Sequence, residues 1–97
     1  MAVAETIEML SKKYSMSKED FLKLGSSLAL KEKKKNLQIE RLEILARYGI
    51  DTVKALEEKI KEGRALEHPA WEDLIEIKNI ESEIAEIESD IRTLQAA

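Results

Sequence analysis

At 97 residues the chain makes one domain at most. Its 37% charged against 4% aromatic residues describe solvated helices with narrow apolar stripes. It has no cysteine, which excludes disulfides and thiolate metal sites, and no apolar run near the roughly 18 residues of a membrane span. The net charge of −4 conceals an asymmetry: residues 1–50 hold ten Lys/Arg against seven Asp/Glu, and residues 51–97 hold six against thirteen. Two halves of opposite sign either neutralise each other on folding or face different partners.

Val3, Ile7, Leu10 and Tyr14 recur at helical spacing and predict a first helix over about residues 2–14. In "YSMSKEDF" Ser17 is a good N-cap, Glu19 and Asp20 occupy a first turn, and Met16 can pack on Phe21. A second helix over about 18–48 follows, stopped by Gly49, which readily takes the left-handed conformation past a last turn. "GIDTVKALEEKIKEG" predicts a short third helix over about 52–62, capped by Asp51 or Thr52 and stopped by Gly63. The final helix should start at Pro69 and run to about residue 95. No segment keeps a period of two, so no strand is expected.

The last helix carries the clearest pattern. Ile77, Ile80, Ile84, Ile87, Ile91 and Leu94 are spaced 3, 4, 3, 4, 3, a heptad seam flanked by Glu81, Glu83, Glu86, Glu88 and Asp90. At about 1.5 Å per residue the second helix is roughly 45 Å long and the fourth roughly 40 Å. A compact domain of this size has a radius of gyration of only about 13 Å, so helices this long cannot fold into a ball. The expected fold is all-α: one domain over 1–97, a long antiparallel, coiled-coil-like hairpin. The first helix is short, and the third sits at the tip. One hairpin buries one seam and leaves apolar flanks bare, so a homodimer or larger bundle should complete the core.

Four groups of residues compete for a functional role. Lys31, Lys33, Lys34 and Lys35 in "KEKKK" form the only basic cluster. No arginine or aromatic is interleaved with it to read or stack bases. An antiparallel hairpin puts residue 35 level with about residue 83, so these lysines should lie alongside Glu81, Glu83 and Glu86. Nucleic acid is therefore not expected, and an acidic partner protein is the other reading. Gly25 and Ala29, one turn apart inside a helix, make a small patch where the first helix or a dimer mate could cross closely.

The stretch "EHPAWED" holds the single histidine, proline and tryptophan. Pro69 fits a first helical position and His68 before it is pushed towards extended backbone. Trp71 should plug the hairpin tip against Leu56, Ile60 or Tyr48, with a partner contact through Trp71 and His68 as the alternative. A metal would have to join His68 to Glu67, Glu72 or Asp73, which have no recognised ligand spacing. One histidine and no cysteine leave few nucleophile–base pairs, so neither enzymatic activity nor a cofactor is expected.

"KKYSMSKEDFLKLGSSLALKEK", residues 12–33, resembles the two-helix portion of ribbon-helix-helix proteins, small dimeric regulators that are often antitoxins. The alternating strand that carries DNA-reading side chains in that family has no counterpart before the first helix, so no DNA-contact residue is carried over. "ARYGIDTVKALEEKIKEGRALEHPAWEDLIEIKNIESEI" is similar to segments of small archaeal helical proteins of unassigned or antitoxin-like description. The resemblance implies a protein-binding dimer whose acidic half covers a basic toxin. An assembly coiled coil and a nucleic-acid-associated regulator are the competing expectations. Four amides in all and abundant Glu and Lys fit a thermophile, and a soluble cytoplasmic protein is expected.

Overall fold

A computed structural model describes residues 2–65 and 67–97, the side chain of Glu67 excepted. It contains α1 (Val3–Lys13), α2 (Lys18–Ala46), α3 (Val53–Lys61) and α4 (Glu67–Ala96), and no strand among the described residues. His68 interrupts the start of α4 with extended backbone (φ −110°, ψ 127°), as the residue before a proline should, and regular helix resumes at Pro69. The fold is the predicted long hairpin: α2 and α4 pack along their length, and α3 closes the tip. Its radius of gyration is 19.6 Å and its extents are 60 × 26 × 18 Å, a rod rather than a ball.

Local chemistry starts and stops each helix. The Ser17 hydroxyl accepts a hydrogen bond from the Asp20 N–H at 3.0 Å, and Thr52 accepts one from Ala55 N–H at 3.1 Å, so both polar caps satisfy a first-turn donor. Three helices then end in the same Schellman pattern. After α1, Met16 N–H donates to the Ser11 carbonyl (2.8 Å) and Ser15 N–H to Lys12 (3.1 Å). After α2, Ile50 N–H donates to Leu45 (3.4 Å) and Gly49 N–H to Ala46 (3.1 Å). After α3, Arg64 N–H donates to Lys59 (2.9 Å) and Gly63 N–H to Ile60 (3.1 Å). The residue at the turn has φ 58° at Ser15, 66° at Gly49 and 70° at Gly63. Ser15 is the one case where a side chain is carried into left-handed backbone, and the sequence gives no glycine signal for that stop.

The core is concentrated at the tip, where α2, α3 and α4 converge. Ile44, Leu45, Leu56, Leu74, Ile77 and Ile80 form its buried cluster, with Leu37, Tyr48, Ile50, Val53, Ile60 and Ile84 packed around it. Three helices can enclose a side chain from all directions, whereas two cannot. Ile77 at the tip is therefore 0% exposed, while Ile91 on the same seam near the open end retains 9%. Polar ties continue the pairing outward: Arg41 Nε lies 3.6 Å from Glu81 Oε2 and Lys34 Nζ 3.5 Å from Glu88 Oε1. At the open end Lys23 Nζ donates to the backbone carbonyls of Gln95 (3.2 Å) and Ala97 (3.0 Å), a cation placed where the α4 dipole is negative. The register differs from expectation by about one helical turn. Residue 34 faces 88, where 35 was expected near 83, because α3 holds Tyr48 and Arg47 level with Asp73 and the ladder counts from that point.

Two substitutions separate backbone from packing effects. A Cβ at Gly49 would meet nothing within 4 Å, so Gly49→Ala should cost only the left-handed penalty, about 1–2 kcal/mol, in urea unfolding. A Cβ at Gly25 also meets nothing within 4 Å, and its backbone is helical, so Gly25→Ala should instead gain up to about 1 kcal/mol. On the seam, Ile77→Ala should lose about 2–5 kcal/mol and Ile91→Ala clearly less, since only the former is enclosed on all sides.

Candidate functional site

At the tip, the first turns of α4 send alternate side chains in opposite directions. Ala70, Asp73, Leu74 and Ile77 turn inward and are buried. Trp71 and Ile75 turn outward, and Trp71 is 48% exposed. The expectation that Trp71 plugs the tip is thus corrected: Leu74 and Ala70 fill that place. The reason is angular. Six residues at about 100° each leave Trp71 roughly 120° around the helix from Ile77, off the seam altogether. His68 is exposed too, with Nδ1 3.4 Å from Glu72 Oε1. The contemplated metal set is not assembled, because Asp73 points inward to other partners, and the side chain of Glu67 lies outside the described part of the chain. No group of three or more metal-ligating side chains gathers among the described residues.

Asp73 is the polar residue that sequence reasoning missed. It accepts a hydrogen bond from the Tyr48 hydroxyl and pairs with Arg47 Nη1 at 3.3 Å, so a carboxylate in the wall of the core has both oxygens engaged. Lys59 Nζ donates to the Tyr48 carbonyl at 2.5 Å, tying α3 to the same residue. Burial, reinforced by the hydrogen bond to Asp73 and by that residue's charge, pushes the Tyr48 phenol up to about 12. Nearby, the Lys78 ammonium lies 2.8 Å from Glu57 and holds that carboxyl below its usual range, chiefly by hydrogen bonding and then by charge. This cluster joins the ends of α2, α3 and α4. It is a structural latch.

Ile77, Ile80, Ile87 and Ile91 are buried, and Ile84 and Leu94 are half-buried. Of the lysine cluster, Lys34 pairs with Glu88 across the hairpin, and Lys35 lies 3.5 Å from Glu32 on its own helix. Lys33 borders the same groove as Glu83, Glu86 and Asp90, and Lys31 that of Glu88 and Arg92. Of the four, only Lys34 thus pairs with an acid of α4, and Glu81, expected beside the lysines, pairs with Arg41 instead. At Gly25 no described element crosses closely, α1 included, since nothing lies within 4 Å of its Cβ position.

The largest feature outside the latch is a second apolar stripe on α2, on the side turned away from α4. Leu24, Leu28, Ile39 and Leu42 are each between 44% and 56% exposed. With Lys31, Lys35 and Ala46 they follow the spacing 4, 3, 4, 4, 3, 4, which stays on one side of a straight helix. α2 is therefore two-faced: one face completes the hairpin, and the other carries large side chains that the described residues leave about half exposed.

The latch gives a pH prediction with a definite sign. The folded phenol is raised above its usual value of 10.0, so its contribution to stability is complete below pH 10 and is lost as pH rises through about 12. Unfolding midpoints measured between those limits should fall more steeply for the native protein than for Tyr48→Phe.

Among curated proteins and among solved structures nothing matches this chain. A family model does match, over residues 24–97, which takes in most of α2 and all of α3 and α4 but leaves out α1; nothing in it bears on the ribbon-helix-helix or antitoxin resemblance. The match spans the two-faced helix, the tip and the isoleucine seam, and by it the chain belongs to the family described as the uncharacterized protein MJ0235 family.

Proposed function

We propose that the protein is a non-enzymatic, protein-binding helical dimer, a rigid hairpin that displays contact surfaces instead of enclosing a substrate. One observation carries this reading: large apolar side chains stand exposed on well-anchored helices, with Trp71 and Ile75 beside the latch and a leucine-rich stripe along α2. Exposed apolar patches on rigid elements mark contact sites, and tryptophan is the residue type most enriched at their energetic centres. Within this reading Trp71 and His68 form the partner contact at the tip, and a second copy covers part of the remaining apolar surface. Among the described residues no helix is long and apolar enough to cross a membrane, so lipid does not account for that surface through a spanning helix.

In its sharper form the reading is toxin neutralisation, with the acidic outer side of α4 covering a basic protein. The support is that Glu83, Glu86 and Asp90 remain exposed after Arg41 has taken Glu81 and Lys34 has taken Glu88. The second reading is an assembly subunit that binds only copies of itself, and the α2 stripe favours it.

Trp71→Ala separates these. Trp71 is half-exposed and outside the core cluster, so the thermal melt should move by no more than about 0.5 kcal/mol equivalent. A partner that co-purifies with the native chain from its host should be lost with Trp71→Ala and with Ile75→Asp. Recovery of the chain alone, or of the same partner with both variants, would count against the tip as a contact site.

A further inference from the structure

α1 is the element least tied to the rest of the rod. It packs chiefly against α2, and Ile7, Leu10 and, across the turn, Phe21 are only half-buried. Cover fades with distance from that turn: Leu24 is 50% exposed, Leu28 56% and Val3 75%. The turn itself holds Ser15 at φ 58°, the one non-glycine residue in left-handed backbone among the described residues. Residues 1–24 include no proline or glycine, so their sequence is compatible with one continuous helix.

Continued through the turn, the apolar stripe of α1 runs into the outer stripe of α2. Val3, Ile7, Leu10, Tyr14, Ser17, Phe21, Leu24 and Leu28 are spaced 4, 3, 4, 3, 4, 3, 4, an unbroken heptad seam. As one helix it is about 38 Å long. The spacing reads the same in both directions, and its midpoint, between Ser15 and Met16, is the turn. A second copy laid antiparallel about a two-fold axis there pairs every member: Val3 with Leu28, Ile7 with Leu24, Leu10 with Phe21 and Tyr14 with Ser17. A shift of seven residues leaves either Val3 and Ile7 or Leu24 and Leu28 without a partner. On one edge of this seam Lys13 meets Asp20 of the second copy. The other edge is kept narrow by Ala4, Ser11 and Gly25, and Lys18 lies there beside Ser11. Laid parallel, Lys13 would instead adjoin Lys18 of the second copy, like against like. The lysines at 31–35 lie beyond the last paired residue, so none is set against another. Bulk and charge therefore select the same direction and register.

We infer that α1 is an exchangeable arm: the turn at residues 14–17 straightens, and α1 of each copy packs along α2 of the other. This rests on the dimeric reading proposed above and specifies its interface. In the bent chain the seam is covered only near the turn. In the exchanged pair Val3, Leu24 and Leu28 are covered as well, and Ser15 leaves the left-handed region. The seam is remote from the tip, so each dimer carries a Trp71 site at both of its far ends.

Ser15→Gly separates an exchanged dimer from one built of bent chains. Glycine relieves the left-handed turn and weakens a continuous helix, and each dimer contains two such positions. Analytical ultracentrifugation should therefore show the dimer dissociation constant raised at least about 100-fold. Circular dichroism should show the variant folded, since the position is exposed. Because the chain has no cysteine, Ile7→Cys and Leu24→Cys chains can be mixed in urea, refolded together and oxidised. The exchange predicts cross-links mainly between the two variants, with little of either to itself. A dimer unaffected or tightened by Ser15→Gly, or dominant self-cross-links, would overturn the exchange while leaving a dimer intact. A native chain that sediments as a monomer up to about millimolar concentration would overturn the dimeric reading with it.

Discussion

The convergence of three helices at one end of the rod is the constraint from which the rest of the structure follows. A two-helix hairpin can shield a side chain on one side only, so its seam alone is a weak source of stability. Adding the short α3 creates a region where Leu45, Leu56 and Ile77 are wholly enclosed, and it fixes the angle and register at which α2 and α4 leave. Asp73 adds direction to that apolar contact. Its two oxygens take Tyr48 and Arg47 together, so sliding α4 by one turn would strip a carboxylate of its partners in the wall of the core.

From the tip outward, packing gives way to charge. The ion pairs Arg41–Glu81 and Lys34–Glu88 are partly exposed, and pairs of this kind contribute only fractions of a kcal/mol each. Their larger effect is on specificity. A basic α2 beside an acidic α4 favours this pairing over a slipped one or over α4 against α4.

Much of this was legible in the residues. Helix positions followed from Ser17, Thr52, Gly49 and Gly63, and the seam from the isoleucine spacing, because capping and period act over a few residues. That a basic α2 lies beside an acidic α4 followed from helix lengths and antiparallel connection, although of the lysine run only Lys34 takes an acid of α4. The details that escaped are those decided by three-dimensional angle. Trp71 was assigned to the core by its kind and its nearness to the seam, although its azimuth sends it to solvent. Asp73 looked like one more first-turn acid until Tyr48 and Arg47, over twenty residues earlier, were brought to it. The left-handed stop at Ser15 lacked a glycine to announce it. The outer stripe of α2 was visible as surplus apolar flank, but two interleaved periods on one helix blur each other until one of them is seen to be buried.

The uneven distribution of burial also bears on how such a chain can change over time. Substitutions at the enclosed tip meet a tightly packed neighbourhood and are costly, whereas along the outer sides of the rod most replacements leave the fold untouched. The exposed sides of the shaft are therefore the part of the molecule with the greatest mutational freedom. A lineage can exchange one recognition surface for another along the shaft, while the small knot at its end goes on specifying the same hairpin.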